Sequence, residues 1–157
     1  MPAAVPALAA EPKVTPEVVR FASAAVPPTP FAAARRMEAE APVMLAGRFY
    51  RAGAAKKADE TVPALVVLPG CLGQVEPDLE AQLATRFARA GMAMLVVDSL
   101  LPRLRHPQCQ WDDGQVDRVA DAVGALDFLV AMGGVDPARV AVLGYGRAGS
   151  AALAAVA

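Results

Sequence analysis

The stretch Arg139-Val140-Ala141-Val142-Leu143-Gly144-Tyr145-Gly146-Arg147-Ala148-Gly149-Ser150 is an apolar run that breaks at glycines and enters an alanine-rich segment. Two different chemistries are built on such a junction. With Gly146 at the tip, it is the frame of a nucleophile turn, Gly144-x-Nu-x-x-Gly149. There a sharp strand-to-helix bend exposes the tip residue and aims the next amide at an oxyanion. Glycine at the tip has no side chain with which to attack a carbonyl. Read literally, Gly144-x-Gly146-x-x-Gly149 is a dinucleotide fingerprint, with glycines for the turn, for pyrophosphate approach and for helix packing. That motif usually opens its domain, and its acidic partner about 20 positions on would lie past Ala157. A tight turn with no further role uses the same glycines equally well.

Other residues offer less. Cys71, His106 and Cys109, with Asp98, Asp112 or Asp113 as a fourth ligand, could gather at one end of a sheet, but no paired Cys-x-x-Cys signal is present and no metal is predicted. Cys71 and Cys109 fit two thiols in a reducing compartment, or one bridge between adjacent loops if the protein is exported. His106 reads as a loop histidine with ordinary hydrogen bonds. Asp98, at a strand end, reads as a cap for the loop that follows. Ser150, one helical turn past the tip, reads as a small packing residue. Asp117, Asp121 and Asp127, with Arg118 among them, read as a solvated helix face.

The 157 residues suit one domain. Although 55% are hydrophobic and the mean hydropathy is +0.37, the apolar runs are short of the roughly 20 residues that cross a bilayer. The net charge of -1, with no basic stripe, excludes the electrostatic footprint of nucleic-acid binding. The amino terminus ends in small residues like those before a cleavage site, but it lacks a charged start and is broken by prolines. As given it carries no address; the chain reads as cytoplasmic, or as exported if an upstream signal has been lost.

These residues need a framework. Residues 1–42 are rich in Ala and Pro and are predicted to form an extended arm, with a turn of helix near Phe31 to Glu40. Val43 to Arg51 predicts a strand pair or one long bent strand, and Gly53 to Glu60 a polar loop. Strands are predicted at Ala64 to Leu68, Met92 to Val97 and Val140 to Leu143. Between them lie helices over Pro77 to Ala90, with Leu79, Leu83 and Phe87 on one face, and over Gln115 to Met132, with Val116, Val119, Val123, Leu126 and Val130. Leu100 to Gly114 is a long irregular loop. This alternation predicts an α/β fold, a mostly parallel sheet covered by helices on both faces. Ligand sites in such sheets lie at the carboxyl ends of the strands. Those ends are Pro69 to Gly73, Asp98 to Arg105 and Gly144 to Arg147.

With these elements in place, the chain resembles the dienelactone hydrolase family of the α/β-hydrolase superfamily from about Val19 onward. The resemblance rests on Val19-Arg20-Phe21 with Pro27-Pro28-Thr29-Pro30-Phe31, on Ala64 to Gly73 where relatives usually read His-Gly-Cys-x-Gly, and on Val97-Asp98-Ser99 with Pro102-Arg103. It rests also on Gly134-Val135-Asp136-Pro137-Ala138-Arg139-Val140-Ala141-Val142-Leu143-Gly144-Tyr145. It implies that Gly146 stands where the family has its Ser or Cys nucleophile, with Gly144 and Gly149 retained for the turn. Arg147 would donate one oxyanion amide, and Cys71 or Leu72 the other. The family's acid and histidine follow later strands, so His106, which precedes the turn, is not the base. The resemblance implies an incomplete α/β-hydrolase domain over 43–157, of ester or lactone hydrolase ancestry and without activity as this chain. It implies no cofactor and a small-molecule ester or lactone as substrate of intact relatives. The strand Val140 to Leu143 would be left as an exposed edge, which predicts self-association as the alternative role.

Overall fold

A computed structural model describes residues 14–25, 41–53, 60–107, 109 and 116–156. The proline stretch Pro27–Phe31, the predicted helical turn near Phe31 to Glu40, and Trp111, Asp112 and Asp113 lie outside the described residues.

Among the described residues five strands form one mixed sheet in the order β1-β2-β4-β3-β5. They are β1 (Glu17–Ala22), β2 (Met44–Tyr50), β3 (Val62–Leu68), β4 (Ala93–Asp98) and β5 (Val135–Gly144). β1 pairs with β2, and β2 with β4, antiparallel; β3 pairs with both β4 and β5 in parallel. Among the described residues three α-helices cover the sheet: α1 (Pro77–Arg89) between β3 and β4, α2 (Arg118–Met132) between β4 and β5, and α3 (Ala148–Ala155) after β5.

Period-two alternation within the buried strands divides the core between two faces. Val66, Leu68, Leu95 and Val97 pack with Ala122, Ala125 and Leu129 of α2 and with Ala148, Ala151 and Ala152 of α3. On the other face, Leu65, Val67, Met94 and Val96 pack with Ala84, Leu83 and Phe87 of α1. Helices therefore cover both faces, as the sequence predicts.

Several expectations are corrected. Val43 to Arg51 holds one strand, the second of the two alternatives expected there, but its antiparallel partner β1 comes from within the predicted arm, where no strand is expected. α1 turns Glu80, Ala84, Thr85 and Ala88 inward, leaving Leu79 40% exposed. α2 buries Arg118, Ala120, Asp121, Ala122, Gly124, Ala125 and Leu129, whereas Val130 is 45% exposed. Small residues let this helix approach closely, and a Cβ at Gly124 would collide with the Ala22 carbonyl.

The solvated reading of α2's charges fails at two of its four residues. Asp121 is fully buried and takes a two-pronged contact from Arg103, at 2.8 Å to Oδ1 and 3.2 Å to Oδ2, while Arg103 also donates to the Ser99 carbonyl at 2.9 Å. Arg118 is buried as well. Asp117 caps the helix, its Oδ1 accepting from the Val119 and Ala120 amides. Asp127 is exposed, as expected.

Candidate functional site at the carboxyl end of the sheet

The turn after β5 is built by the backbone. The Tyr145 amide donates to the Leu68 carbonyl at 3.1 Å, carrying the β3–β5 ladder one residue past the strand. The Ala148 and Gly149 amides then donate to the Tyr145 and Gly146 carbonyls, each at 3.0 Å, and α3 begins. Gly144 is required at the strand end, because a Cβ there would run into the Ala148 carbonyl. Gly146 occupies the tip with φ +55, the left-handed region where glycine is at ease and other residues are strained. A Cβ built on it would meet nothing within 4 Å. The tip is thus a tight turn open to its surroundings, and glycine puts no side-chain atom on it.

The loop after β3 stands beside this turn. A Cβ on Gly70 would lie 3.1 Å from the Tyr145 carbonyl oxygen, so the two backbones nearly touch. The Gly73 amide donates to the Gly70 carbonyl at 3.0 Å and closes the loop on itself. Cys71 is half-buried, and Leu72 and Arg147 are exposed. The residues expected around an oxyanion therefore lie on two loops that meet at Gly70 and Tyr145.

The loop after β4 is the third side. Asp98 caps it as expected, Oδ1 accepting from the Leu100 and Leu101 amides at 3.1 and 2.9 Å. A 3-10 turn, Leu101–Arg103, follows. Cys71 and Cys109 are joined in a disulfide that links the loops after β3 and β4, with Cα atoms 4.9 Å apart. This settles the choice between thiols and a bridge. His106 is exposed on the same loop. Ser150 is exposed rather than packed, because Ala148, Ala151 and Ala152 occupy the buried face of α3; its hydroxyl donates to the Arg147 carbonyl at 2.8 Å.

One charged cluster escaped sequence reasoning. Glu80 of α1 accepts from Arg48 at 2.6 and 2.8 Å and from the Tyr50 hydroxyl at 2.6 Å, across the α1 face of the sheet. Burial pushes the Glu80 carboxyl up, but the hydrogen bonds from Arg48 and Tyr50 and the Arg48 charge prevail, and it is held below the usual carboxylate range. Burial, with the bond to Glu80, pushes the Tyr50 phenol up to about 12. A separate cavity of about 530 Å³ lies among Gly53, Thr61, Val62, Ala88 and Arg139. It borders the amino end of β3, at the opposite end of that strand from the turn.

The sheet order, the turn after β5 and the loops at the strand ends define the class: the chain has an α/β-hydrolase fold. Similar solved structures include a puromycin-hydrolyzing peptidase of Mycobacterium tuberculosis, 26% identical with a TM-score of 0.60, covering 95% of this chain and 22% of that one. A dienelactone hydrolase-like promiscuous phosphotriesterase from metagenomic libraries is 22% identical with a TM-score of 0.52, covering 90% of this chain and 54% of its own. The carboxylesterase EstE1, also metagenomic, is 20% identical with a TM-score of 0.52, covering 92% and 41%. The chain spans between 22% and 54% of the length of these structures. No protein-family model matches it, and no curated protein does. Among the described residues, no helix is long and apolar enough to cross a membrane.

Proposed function

We propose that this is a dienelactone-hydrolase-like protein of ester or lactone hydrolase ancestry whose nucleophile turn is kept as a frame but carries no covalent chemistry. The observation that carries this reading is Gly146, at φ +55 with open space around its missing side chain. In an intact turn a hydroxyl or thiol would attack the ester carbonyl and expel the alcohol to leave an acyl-enzyme, which water would then hydrolyse to the acid and the free nucleophile. The Arg147 amide and an amide of Cys71 or Leu72 are assigned to the oxyanion side, so the ligand class is a small ester or lactone held without bond formation.

The test compares the parent chain with Gly146→Cys. The parent is expected to show no hydrolysis of an activated ester above background. Gly146→Cys is expected to take up one acyl group per chain, read by intact mass, while the control Ser150→Cys does not. Parent turnover that a single substitution abolishes would overturn the reading.

A second reading rests on a different observation. Among the described residues β5 pairs only with β3 and forms the edge of the sheet, with Pro137 to Arg139 and Ala141 exposed. Leu153 and Val156, on and just after α3, are 74% and 63% exposed. An open edge beside apolar surface favours a non-catalytic assembly module. Sedimentation tests it: a dimer or larger species is expected, and a monomer with β5 fully protected from hydrogen exchange would count against it.

A further inference from the structure

We propose that the Cys71–Cys109 disulfide is a dithiol-reducible clamp that sets how firmly the Gly70–Gly73 loop is held at the carboxyl end of the sheet. The bond joins loops leaving two neighbouring strands, β3 and β4, which pair in parallel. They are the only two cysteines in the chain, so the pairing has no competitor.

Three features make this a clamp on loops rather than a staple through the core. Neither cysteine belongs to either buried cluster, and both sheet faces are packed without them. The base of the loop after β4 has its own anchors: Asp98 on the Leu100 and Leu101 amides, and Arg103 on Ser99 and Asp121. Beyond those anchors His106, Pro107 and Cys109 are exposed, so the disulfide ties an outer segment back to the first loop. That first loop in turn rests against both neighbours. A Cβ on Gly73 would lie 2.6 Å from the Leu100 side chain, and one on Gly70 would lie 3.1 Å from the Tyr145 carbonyl.

Accessibility gives the bond its chemistry. Cys109 is the exposed partner and Cys71 the half-buried one. A thiolate of the reductant attacks the Cys109 sulfur, the protein S–S bond breaks, and Cys71 leaves as a thiolate that takes up a proton. The second thiol of the reductant then displaces Cys109 from the mixed disulfide. Two electrons pass to the protein, which ends with two thiols, and the dithiol ends as its own disulfide. Exposed disulfides are the labile and regulatory ones. The consequence for ligand binding rests on the oxyanion reading above, because Cys71 and Leu72 are the residues the clamp holds; the clamp itself does not.

The experiment follows amide hydrogen exchange in the intact chain before and after native-state reduction with dithiothreitol, with thiols counted by maleimide mass labelling. Two thiols should appear in the folded protein. The Gly73 amide, bonded to Gly70, should exchange at least tenfold faster, the β3 and β4 amides should keep their protection, and reoxidation should restore Gly73. The double variant Cys71→Ser/Cys109→Ser should match the reduced protein with or without dithiothreitol. An unchanged Gly73, a bond that resists reduction in the folded state, or β3 and β4 losing protection together with Gly73 would each overturn the proposal. No ester enters the measurement, so a failed oxyanion reading, which shows in the acylation test, leaves its result intact.

Discussion

Glu80 is nearly enclosed, with 6% of its side chain exposed, and its partner Arg48 retains 33%. A carboxylate buried this way is tolerable only because both oxygens are occupied, one of them twice. Removing one partner of a fully buried pair costs about 3–5 kcal/mol; with Arg48 a third exposed, Glu80→Gln is expected to cost about 2 kcal/mol near neutral pH. The sign of the pH dependence follows from the lowered carboxyl. Its contribution is present above the unfolded value, near 4.5, and is lost as pH falls through the lower folded value. Urea unfolding should therefore show a gap between parent and Glu80→Gln at neutral pH that narrows below about pH 4.5. Tyr50 acts at the other end of the scale. Its phenol, raised from 10 to about 12, contributes below pH 10, and that contribution is lost as pH rises toward 12.

At the scale of elements, the junction of β5 and α3 depends on Gly144, whose missing side chain lets the Ala148 carbonyl come close. Gly144→Ala is expected to cost about 1–3 kcal/mol by overpacking, read as a lower thermal midpoint, whereas Gly149→Ala, with its nearest neighbour at 3.6 Å, should cost less. How much of the fold was legible differs by element. β3 and β4 announce themselves because strands buried on both faces are continuous apolar runs. The positions of the loops at the strand ends were legible too, since glycines and an aspartate there carry local geometry. The helix faces were legible only in part: Leu83 and Phe87 of α1 and Val119 and Leu126 of α2 pack against the core, whereas Leu79 and Val130 do not. A periodic count follows the largest apolar residues, but α2 presents Ala122, Gly124 and Ala125 to the sheet and leaves Met132 exposed. Asp121 goes inward because Arg103, eighteen residues earlier, is there to meet it, and no local period can contain that pairing. β1 was hidden for the same reason: its strand character comes from β2, across the register Glu17 to Phe49 and Ala22 to Met44.

At the scale of the molecule, the two edges of the sheet differ. Among the described residues β1 forms one edge, antiparallel to β2, and β5 forms the other, parallel to β3. If β5 recruits a second copy, stability becomes a matter of mass action, and the thermal midpoint should rise with protein concentration. A midpoint independent of concentration over a hundredfold range would instead describe a chain that keeps its edge to itself. The edge is not uniform along its length. Pro137 has no amide hydrogen to offer, and the ladder with β3 shifts register between Val135 and Val140, running regularly only from Val140 to Gly144. An added strand would therefore find its footing only on that last stretch, directly before Tyr145 and Gly146. Any such neighbour would sit at the doorstep of the turn, so that assembly and whatever the turn holds would compete for one address or share it.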